Sequence, residues 1–278
     1  SAANTALEHG AKVVLIDKSA FLGGNSTKAT SGFNAAYTRT QILQGEPDSV
    51  ELFKKDMYKS ASLGKNETPY ELAAVLAEGT DPAYDWLTKT FKIDLSLVSR
   101  LGGHSGDRTH RGKEKFPGMT ITYALIQALE KVEEDSKGEK AKIICKAQVN
   151  ELIYENGKVI GVKYIHKKKE YHEYGVVVLA TGGFAADFGK DSLLMKYRPD
   201  LGSFSTTNGP HCTGDGLKMT EKIGGDLVDM EWVQVHPTGL INPKDPNNKV
   251  KWLAAEALRG CGGIIINKFG ERFVNELG

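Results

Sequence analysis

The sequence predicts an α/β fold, and three observations lead to this prediction. The chain opens with a helical pattern of alanine and leucine, which an apolar strand follows at 13–16. Residues 142–183 alternate between apolar and polar side chains and turn at 155–157 and 167–170, a pattern typical of strands joined by hairpins. Glycine accounts for 31 of the 278 residues, which indicates close approaches of the main chain to a ligand. At this length we expect one large or two modest domains.

The composition excludes several classes of function. Lys and Arg number 36 and Asp and Glu 35, so the formal net charge of +1 gives no reason to expect a nucleic acid as partner. Apolar runs such as 175–184 are far shorter than the roughly 20 residues of a membrane helix, so we expect no transmembrane segment. Three cysteines without a C-x-x-C pair predict neither a disulfide framework nor a metal site. They fit a reducing compartment, and we expect a soluble protein of the cytoplasm or the mitochondrion, which the sequence does not distinguish.

The first helix and strand are typical of the second half of a dinucleotide-binding βαβ unit. In the complete unit a G-x-G-x-x-G loop precedes the helix, and an acid that binds the ribose follows about 20 residues later. Asp17 ends the strand, so the glycines would lie just before Ser1, and we expect a chain that lacks its first strand and loop. Asp17 would accept hydrogen bonds from the ribose diol. The alternatives are a generic helix–strand pair and a surface acid.

Three further segments are suited to a ligand with phosphates or a flat ring. The segment 21–38 is dense in small residues and offers main-chain N–H groups with little steric cover, although any turn could look like this. An apolar strand predicted at 176–179 ends in Ala-Thr-Gly-Gly. A helix predicted over 214–228 opens with Gly-Asp-Gly, which suits an anion or a ribityl chain. Asp215 as a simple helix cap is the competing interpretation.

Helical patterns are also predicted over 50–61, 69–90 and 120–135. The segment 102–119 is polar, and we interpret it as a loop that faces the nucleotide. A metal or phosphate site is the alternative, which the absence of paired carboxylates and cysteines in this segment disfavours. The side chains concerned are His104, Arg108, His110 and Arg111.

Three polar residues near the end of the chain are candidates for chemistry. His236 precedes a proline that stiffens the loop, so its imidazole could orient a substrate carboxylate, although a single histidine is more often structural. Glu256 and Arg259 are three residues apart and would share one face of a helix. An ordinary i,i+3 ion pair is the simpler explanation of these two residues.

Taken in order along the chain, these motifs resemble those of one flavoprotein family. They are the acid-ended strand, GGNS, SGFNA, ATGGF, TGDG, HPTG, EALRG and G-x-R-F-V-N-E. The order resembles that of the soluble fumarate reductases, which are FAD-dependent relatives of the succinate dehydrogenase flavoprotein subunit. The strings LGGHSGDRTHR, TTNG, VQVHPTG and AAEALRG resemble the eukaryotic, yeast-type branch of that family. The resemblance extends over essentially the whole chain.

The resemblance implies the fold and the cofactor. A Rossmann-like FAD-binding domain would occupy residues 1–230, without its first strand and loop, and the beginning of a mobile α+β capping domain would occupy 231–278. FAD would bind non-covalently, because Asn25 stands where covalently flavinylated relatives have a histidine. The residues implied to contact FAD are Asp17, Lys18, Gly24, Asn25, Ser26, Ser31, Gly32, Val149, Ala180, Thr181, Gly182, Thr213, Gly214 and Asp215.

The resemblance also implies the reaction, in which the flavin transfers a hydride to fumarate and a proton completes succinate. His236 would bind a substrate carboxylate, and Glu256 with Arg259 would supply protons to the catalytic acid. That acid is implied to be an arginine beyond the Arg272–Glu276 string and beyond the end of the chain, so we expect this piece alone to be inactive. The family commonly has a threonine where this sequence has Ala255, which removes one hydroxyl contact to substrate.

Several alternatives stay open at the level of sequence. A relative could act on another enoate, on a ketosteroid or, like aspartate oxidase, on an amino acid. A succinate dehydrogenase subunit and a non-catalytic flavin-binding protein are the other two. We expect fumarate, succinate or a similar small dicarboxylate as the partner. The sequence does not indicate whether reduced flavin, NADH or a cytochrome donates the electrons, nor the oligomeric state.

Overall fold

The computed structural model describes residues 1–63 and 70–276, and the chain divides into two compact units. One unit comprises Ser1–Asn25 and Leu125–Leu253, and the other comprises Ser26–Ala124 and Ala254–Gly278. The domain boundary predicted between residues 230 and 231 stays a prediction, and positions 277 and 278 of the second predicted domain lie outside the described residues. Within the described part of the chain, no helix has the length and apolar character to cross a membrane.

Eight helices and ten strands are found in the described residues. They are α1 (Ala2–Glu8), β1 (Val13–Ile16), β2 (Phe33–Asn34), α2 (Arg39–Gln44), α3 (Val50–Leu63), α4 (Tyr70–Thr90), β3 (Leu97–Ser99), β4 (Thr109–Arg111), α5 (Pro117–Asp135), β5 (Ala141–Ile144), β6 (Ala147–Glu155), β7 (Lys158–His166), β8 (Lys169–Tyr174), α6 (Leu193–Tyr197), α7 (Asp215–Lys222), β9 (Gly239–Leu240), β10 (Trp252–Leu253) and α8 (Glu256–Gly260). Short 3₁₀ helices cover Gly24–Lys28 and Pro199–Ser203.

The first unit opens with the predicted helix and strand. Gly10 adopts φ +80°, and its N–H donates to the carbonyl of Leu7, so a left-handed glycine terminates α1. Strand β1 then pairs in parallel with β5, with Val13 opposite Ala141. A helix followed by a strand of a parallel pair is an α/β arrangement, and the predicted fold class is confirmed.

Strands β6, β7 and β8 form an antiparallel sheet whose two hairpins are those predicted from the sequence. Asn156 and Gly157 have φ values of +50° and +78°, and Lys167 and Lys168 have +49° and +64°. Two successive positive φ angles define the tight turn that suits a twisted hairpin. One core cluster packs below this sheet and consists of Ile144, Ala147, Leu152, Val162, Tyr164 and Met219.

Two sequence-based expectations in this part of the fold are wrong. Residues 176–179 are not a strand, and Val176 is 97% exposed. An isolated extended segment has no ladder of hydrogen bonds, and this run pairs with no strand among the described residues. The helix predicted over 214–228 ends at Lys222, because the left-handed Gly224 follows it closely.

The second unit contains the predicted helices α3 and α4 and the sheet β2-β4-β3. The helical patterns predicted over 50–61, 69–90 and 120–135 are confirmed, although residue 69 lies outside the described residues. Ala36, Phe53 and Ala77 form a buried cluster between these elements. Small residues at 36 and 77 let the backbones approach each other closely.

Candidate active site

The acid-ended strand of the first unit leads directly into a charged cluster. Lys18 places its Nζ 2.7 Å from Thr213 Oγ1 and 2.7 Å from Asp215 Oδ2, and Thr213 Oγ1 donates to Asp215 Oδ1 at 2.6 Å. Burial opposes ionisation of Asp215, but the hydrogen bonds from Lys18 and Thr213 outweigh it, and the pKa of Asp215 lies below its ordinary value. This arrangement joins the end of β1 to the start of α7.

Asp17 itself is anchored by main-chain groups. Its N–H donates to the carbonyl of Ile144 at 2.9 Å, and its Oδ1 accepts from the N–H of Ser19 at 2.7 Å. Among the described residues, Asp17 Oδ2 makes no hydrogen bond. One carboxylate oxygen therefore stays available for a ligand hydroxyl, as the predicted ribose contact requires.

The glycines near Asp215 occupy positions where the backbone conformation or the packing excludes a side chain. Gly214 is the N-cap of α7 with φ +69°, so the interpretation of Asp215 as the helix cap is wrong, and no side chain caps this helix. Gly214 N–H donates to the carbonyl of Gly183 at 3.1 Å. At Gly216 a Cβ would overlap the side chain of Thr181, so only glycine lets α7 pack against this segment.

The main chain at 180–183 faces open space. Ala180, Thr181 and Gly182 are exposed, and Gly182 adopts φ +71°. A Cβ placed on Gly183 would meet no atom within 4 Å. Uncovered small residues of this kind permit a flat or anionic ligand to lie directly on the backbone.

Asn25 is held by the segment 206–212 of the same unit. Its Nδ2 donates to Asn208 Oδ1 at 2.5 Å and to Cys212 Sγ at 2.9 Å, and its Oδ1 accepts from the N–H of Gly209 at 2.9 Å. The neighbouring Gly24 has φ +51°, and a Cβ there would come within 3.3 Å of His211 Nε2. The sequence analysis identified Asn25 but missed Asn208 and Cys212, because no local pattern marks residues about 180 positions away as its partners.

Val149 lies on β6 of the same unit and is packed against the core cluster. It pairs with Tyr164 while Glu151 pairs with Lys163, so Asn150 is the extra residue of a β-bulge. Because its side chain packs against the core cluster, a ligand contact at Val149 would have to be made by its main chain.

In the second unit, Ser26, Ser31 and Gly32 follow one another along a tightly packed segment. Gly32 has φ +151°, and a Cβ there would lie 2.5 Å from the carbonyl oxygen of His110. The N–H of Gly118 donates to the carbonyl of Ala29 at 3.0 Å, which fixes the segment against the first turn of α5. Ser26 is exposed and Ser31 is half-buried.

His236 is a half-buried residue of the first unit, on a loop after which β9 begins. Its Nδ1 lies 3.0 Å from the carbonyl oxygen of Thr238 and 3.3 Å from the N–H of the same residue. These contacts orient the ring, and no hydrogen bond among the described residues involves Nε2. A ring held in this way leaves its Nε2 for a ligand such as a carboxylate.

Glu256 and Arg259 share α8 in the second unit, but they form no ion pair with each other in the described part of the chain. The simple i,i+3 pair is therefore wrong. Arg259 Nη1 instead donates to the carbonyl oxygen of Glu276 at 2.9 Å. The carboxylate of Glu276 accepts from Arg272 and from the N–H of Ile265, and the hydrogen bonds from Arg272 lower the pKa of Glu276 to about 2.

The interpretation of Arg108 and His110 as nucleotide-facing loop residues is wrong. Both side chains are fully buried. Arg108 forms ion pairs with Asp48 and Asp56 at 2.8 Å each, so carboxylates from a distant segment neutralise it. His110 lies on β4, with Nε2 2.8 Å from Thr38 Oγ1 and Nδ1 2.8 Å from the carbonyl of Arg108. No cluster suited to a metal ion occurs among the described residues.

Comparison with known proteins shows the family to which the chain belongs. The whole chain, residues 1–278, matches the model of the FAD binding domain family, and the chain belongs to that family. The predicted cofactor is confirmed. The residues present fit it, because small residues leave the main chain open at 180–183 and one oxygen of Asp17 is available to a hydroxyl.

Particular relatives are fumarate reductases. The chain is 46% identical over 283 residues to a fumarate reductase of Schizosaccharomyces pombe, with 100% of this chain and 54% of the relative covered. It is 44% identical over 269 residues to fumarate reductase 1 of Saccharomyces cerevisiae, with 95% and 56% covered. The structure of an open flavocytochrome c3 fumarate reductase matches with a TM-score of 0.80 and 31% identity, covering 100% of this chain and 46% of that one. The predicted resemblance is confirmed, and the chain spans about half the length of the relatives it matches.

Proposed function

We propose that the protein containing this chain reduces fumarate to succinate with non-covalently bound FAD. The observation that supports this best is the likeness to two yeast fumarate reductases, which extends over 100% and 95% of this chain. Glu256 and Arg259 lie one turn apart on α8, which places the two proposed relay residues on one short helix. The two yeast relatives of 46% and 44% identity, which are named fumarate reductases, support the substrate.

In this proposal the bound, reduced cofactor supplies a hydride to one alkene carbon. Side chains of this chain would stabilise the developing charge and supply the proton. His236 donates through Nε2 to the substrate carboxylate on which negative charge develops, and donors aimed at developing charge are a major source of catalysis. Glu256 takes up a proton and passes it by way of Arg259 toward the acid that protonates the second carbon.

The cofactor contacts in this proposal are those implied by the resemblance. Asp17 would accept from the adenosine ribose, and Lys18 would meet the same region while it keeps Asp215 and Thr213 in place. The remaining contacts are Gly24, Asn25, Ser26, Ser31, Gly32, the main chain of Val149, Ala180, Thr181, Gly182 and Gly214. Non-covalent attachment is proposed because the amide of Asn25 is no nucleophile and its atoms are already engaged. After acid precipitation the yellow colour should stay in solution, and colour in the pellet would contradict this.

Substrate choice is tested with the longest natural protein that contains this chain. Turnover of fumarate, urocanate and acrylate is compared under a reduced viologen, because relatives named urocanate reductase and NADH:acrylate oxidoreductase are 30% and 26% identical. We expect fumarate to be preferred. Preference for another enoate, or oxidation of an amino acid, would reject fumarate as the substrate. Comparing NADH with a cytochrome as donor then addresses the electron source.

The relay is tested by Glu256→Gln in the same protein. We expect turnover to fall by about 100-fold or more, with thermal stability and substrate affinity nearly intact, because only proton supply is removed. Glu271→Gln is the matched control, since Glu271 is an exposed residue of the same unit. Near-normal turnover of Glu256→Gln would rule out the relay. Residence in the cytoplasm or the mitochondrion and the predicted domain boundary at 230 remain predictions.

A further inference from the structure

The second unit contains a cavity of about 200 Å³ beside the turn that precedes β4. It is lined by Phe53 and Asp56 of α3 and by Gly102, Gly103 and His104 of the turn. Gly103 is exposed, so this turn borders solvent, whereas Phe53 is buried at the inner wall. The cavity therefore extends from solvent toward the interior of the unit.

One buried ring nitrogen in this wall lacks a hydrogen-bond partner among the described residues. His104 Nδ1 is buried and makes no hydrogen bond in the part of the chain that the structure describes. The ring packs against Phe53 with the two centroids 6.0 Å apart. Burial lowers the pKa of His104, the charge of Arg108 lowers it further, and the carboxylates of Asp56, Glu256 and Asp48 act in the opposite direction. Burial is thus the main influence on His104, and it favours the neutral imidazole, the form that can accept a proton.

The carboxylate of Glu256 lies close to the same turn. The Cβ position of Gly102 is 3.5 Å from Glu256 Oε1, and Gly102 is two residues from His104. Glu256 is one of the charged groups that act on His104. The turn that carries His104 therefore also approaches the first member of the proposed relay.

The other ionisable groups of this region are unsuited to proton transfer. Asp56 accepts from the N–H and Oγ of Ser105 at 2.8 and 2.7 Å and is paired with Arg108 at 2.8 Å. Burial opposes ionisation of Asp56, but these bonds outweigh it and the pKa of Asp56 lies below its ordinary value. Arg108 is fully buried and is engaged by the carboxylates of Asp48 and Asp56.

We infer that His104 transfers protons from solvent in this cavity to Glu256. The ring of His104 accepts a proton from water or buffer in the cavity and becomes an imidazolium. The proton then passes to a Glu256 carboxylate oxygen, which leaves a neutral imidazole and a carboxylic acid. No electrons move in this step. The inference rests on the proposed function, because it supplies the proton that Glu256 and Arg259 deliver.

The first test measures the coupling of the two groups in the longest natural protein that contains this chain, without turnover. The pKa of His104 is determined by NMR titration of its ring in the wild type and in Glu256→Gln. We expect the variant to lower the pKa of His104 by about half a unit or more, because a nearby negative charge is lost. Glu271→Gln serves as the control and should leave it unchanged. An unchanged pKa of His104 in Glu256→Gln would overturn the inference.

The second test uses the longest natural protein with reduced viologen and saturating fumarate. His104→Gln should lower turnover about tenfold or more without changing KM, and added imidazole should restore most of the loss. His172→Gln, on the surface of the other unit, should behave as the wild type. Unchanged turnover, or a loss that imidazole does not restore, would overturn the role of His104. If the wild type fails to reduce fumarate, the proposed function fails separately, and the NMR result still decides whether His104 and Glu256 are coupled.

Discussion

Two clusters of charged side chains, one in each unit, have similar chemistry and different surroundings. Lys18 contacts Thr213 and Asp215 in the first unit, and its side chain is 27% exposed. Arg108 contacts Asp48 and Asp56 in the second unit, and its side chain is 0% exposed. A charged group that keeps access to solvent also keeps access to a ligand, whereas a fully buried one is restricted to holding the fold. The comparison predicts that burial, more than pairing, separates residues that can bind a ligand from structural ones.

The largest effect is expected from breaking the buried cluster. Asp48→Ala leaves Arg108 with one carboxylate in a site closed to water, and removing one partner of a buried ion pair costs about 3–5 kcal/mol. The free energy of unfolding from urea denaturation measures this loss. The control is Asp85→Ala, which breaks a 2.6 Å pair with Lys89 on the surface and should cost at most about 1 kcal/mol. Similar losses in both variants would contradict the comparison.

The next effect concerns an accessible group and should appear in catalysis. His236→Ala in the natural protein removes one donor to the developing charge, worth about 2–4 kcal/mol of transition-state stabilisation. Flavin content and thermal stability should stay close to the wild type, because among the described residues the ring hydrogen-bonds only to Thr238. Steady-state kinetics and flavin absorbance measure the two quantities. A fumarate reduction rate equal to that of the wild type would reject the role of His236.

A smaller effect is expected from the accessible cluster. Lys18→Met breaks a half-exposed pair, so the free energy of unfolding should change by at most about 1 kcal/mol. FAD affinity should fall about tenfold, equivalent to 1.4 kcal/mol, because Asp215 and Thr213 lose the group that positions them. Titration with FAD and urea denaturation give both numbers. Lys12→Met is the control, because Lys12 is an exposed neighbour. A loss of stability without a loss of FAD affinity would give Lys18 a structural role in place of a binding role.

The smallest effect is a pH dependence near α8. The pKa of Glu276 is lowered to about 2, so Glu276 stabilises the folded state fully above its ordinary value of 4.5. That stabilisation is lost as the pH falls from 4.5 toward 2. Glu276→Gln should therefore be less stable than the wild type at pH 7, and the difference should vanish near pH 2. Thermal unfolding of the wild type and Glu276→Gln is measured across this pH range. A difference in stability that does not change with pH would contradict the prediction.

Local elements of the fold were predictable because their causes are local. The Asn156-Gly157 turn accepts positive φ angles, and Gly10 does the same at the end of α1. The segment 176–179 has the composition of a strand, but a strand also needs a neighbour, which composition does not specify. Prediction therefore succeeded for the hairpin turns and the end of α1, and was wrong for 176–179, where pairing decided the outcome.

The same difference between local and long-range causes applies to the candidate site. The order of motifs along the chain predicted the FAD-binding family and singled out Asp17, Asn25, His236 and Glu256. It did not predict that Asn25 contacts Asn208 and Cys212, or that Arg108 is buried. Those facts depend on segments that are remote in sequence, and no periodicity links them.

The sequence by itself determined the class of protein, the cofactor and the local turns. Backbone conformational preferences and motif spacing act over a few residues, so they are visible in the order of letters. Only the tertiary structure decided which charged groups are buried, that Lys18 meets Asp215 across 197 positions and that Glu256 lies beside the turn preceding His104 rather than against Arg259. The physical reason is that burial and pairing set the strength and the pKa of a charged group, and both arise from contacts between distant segments.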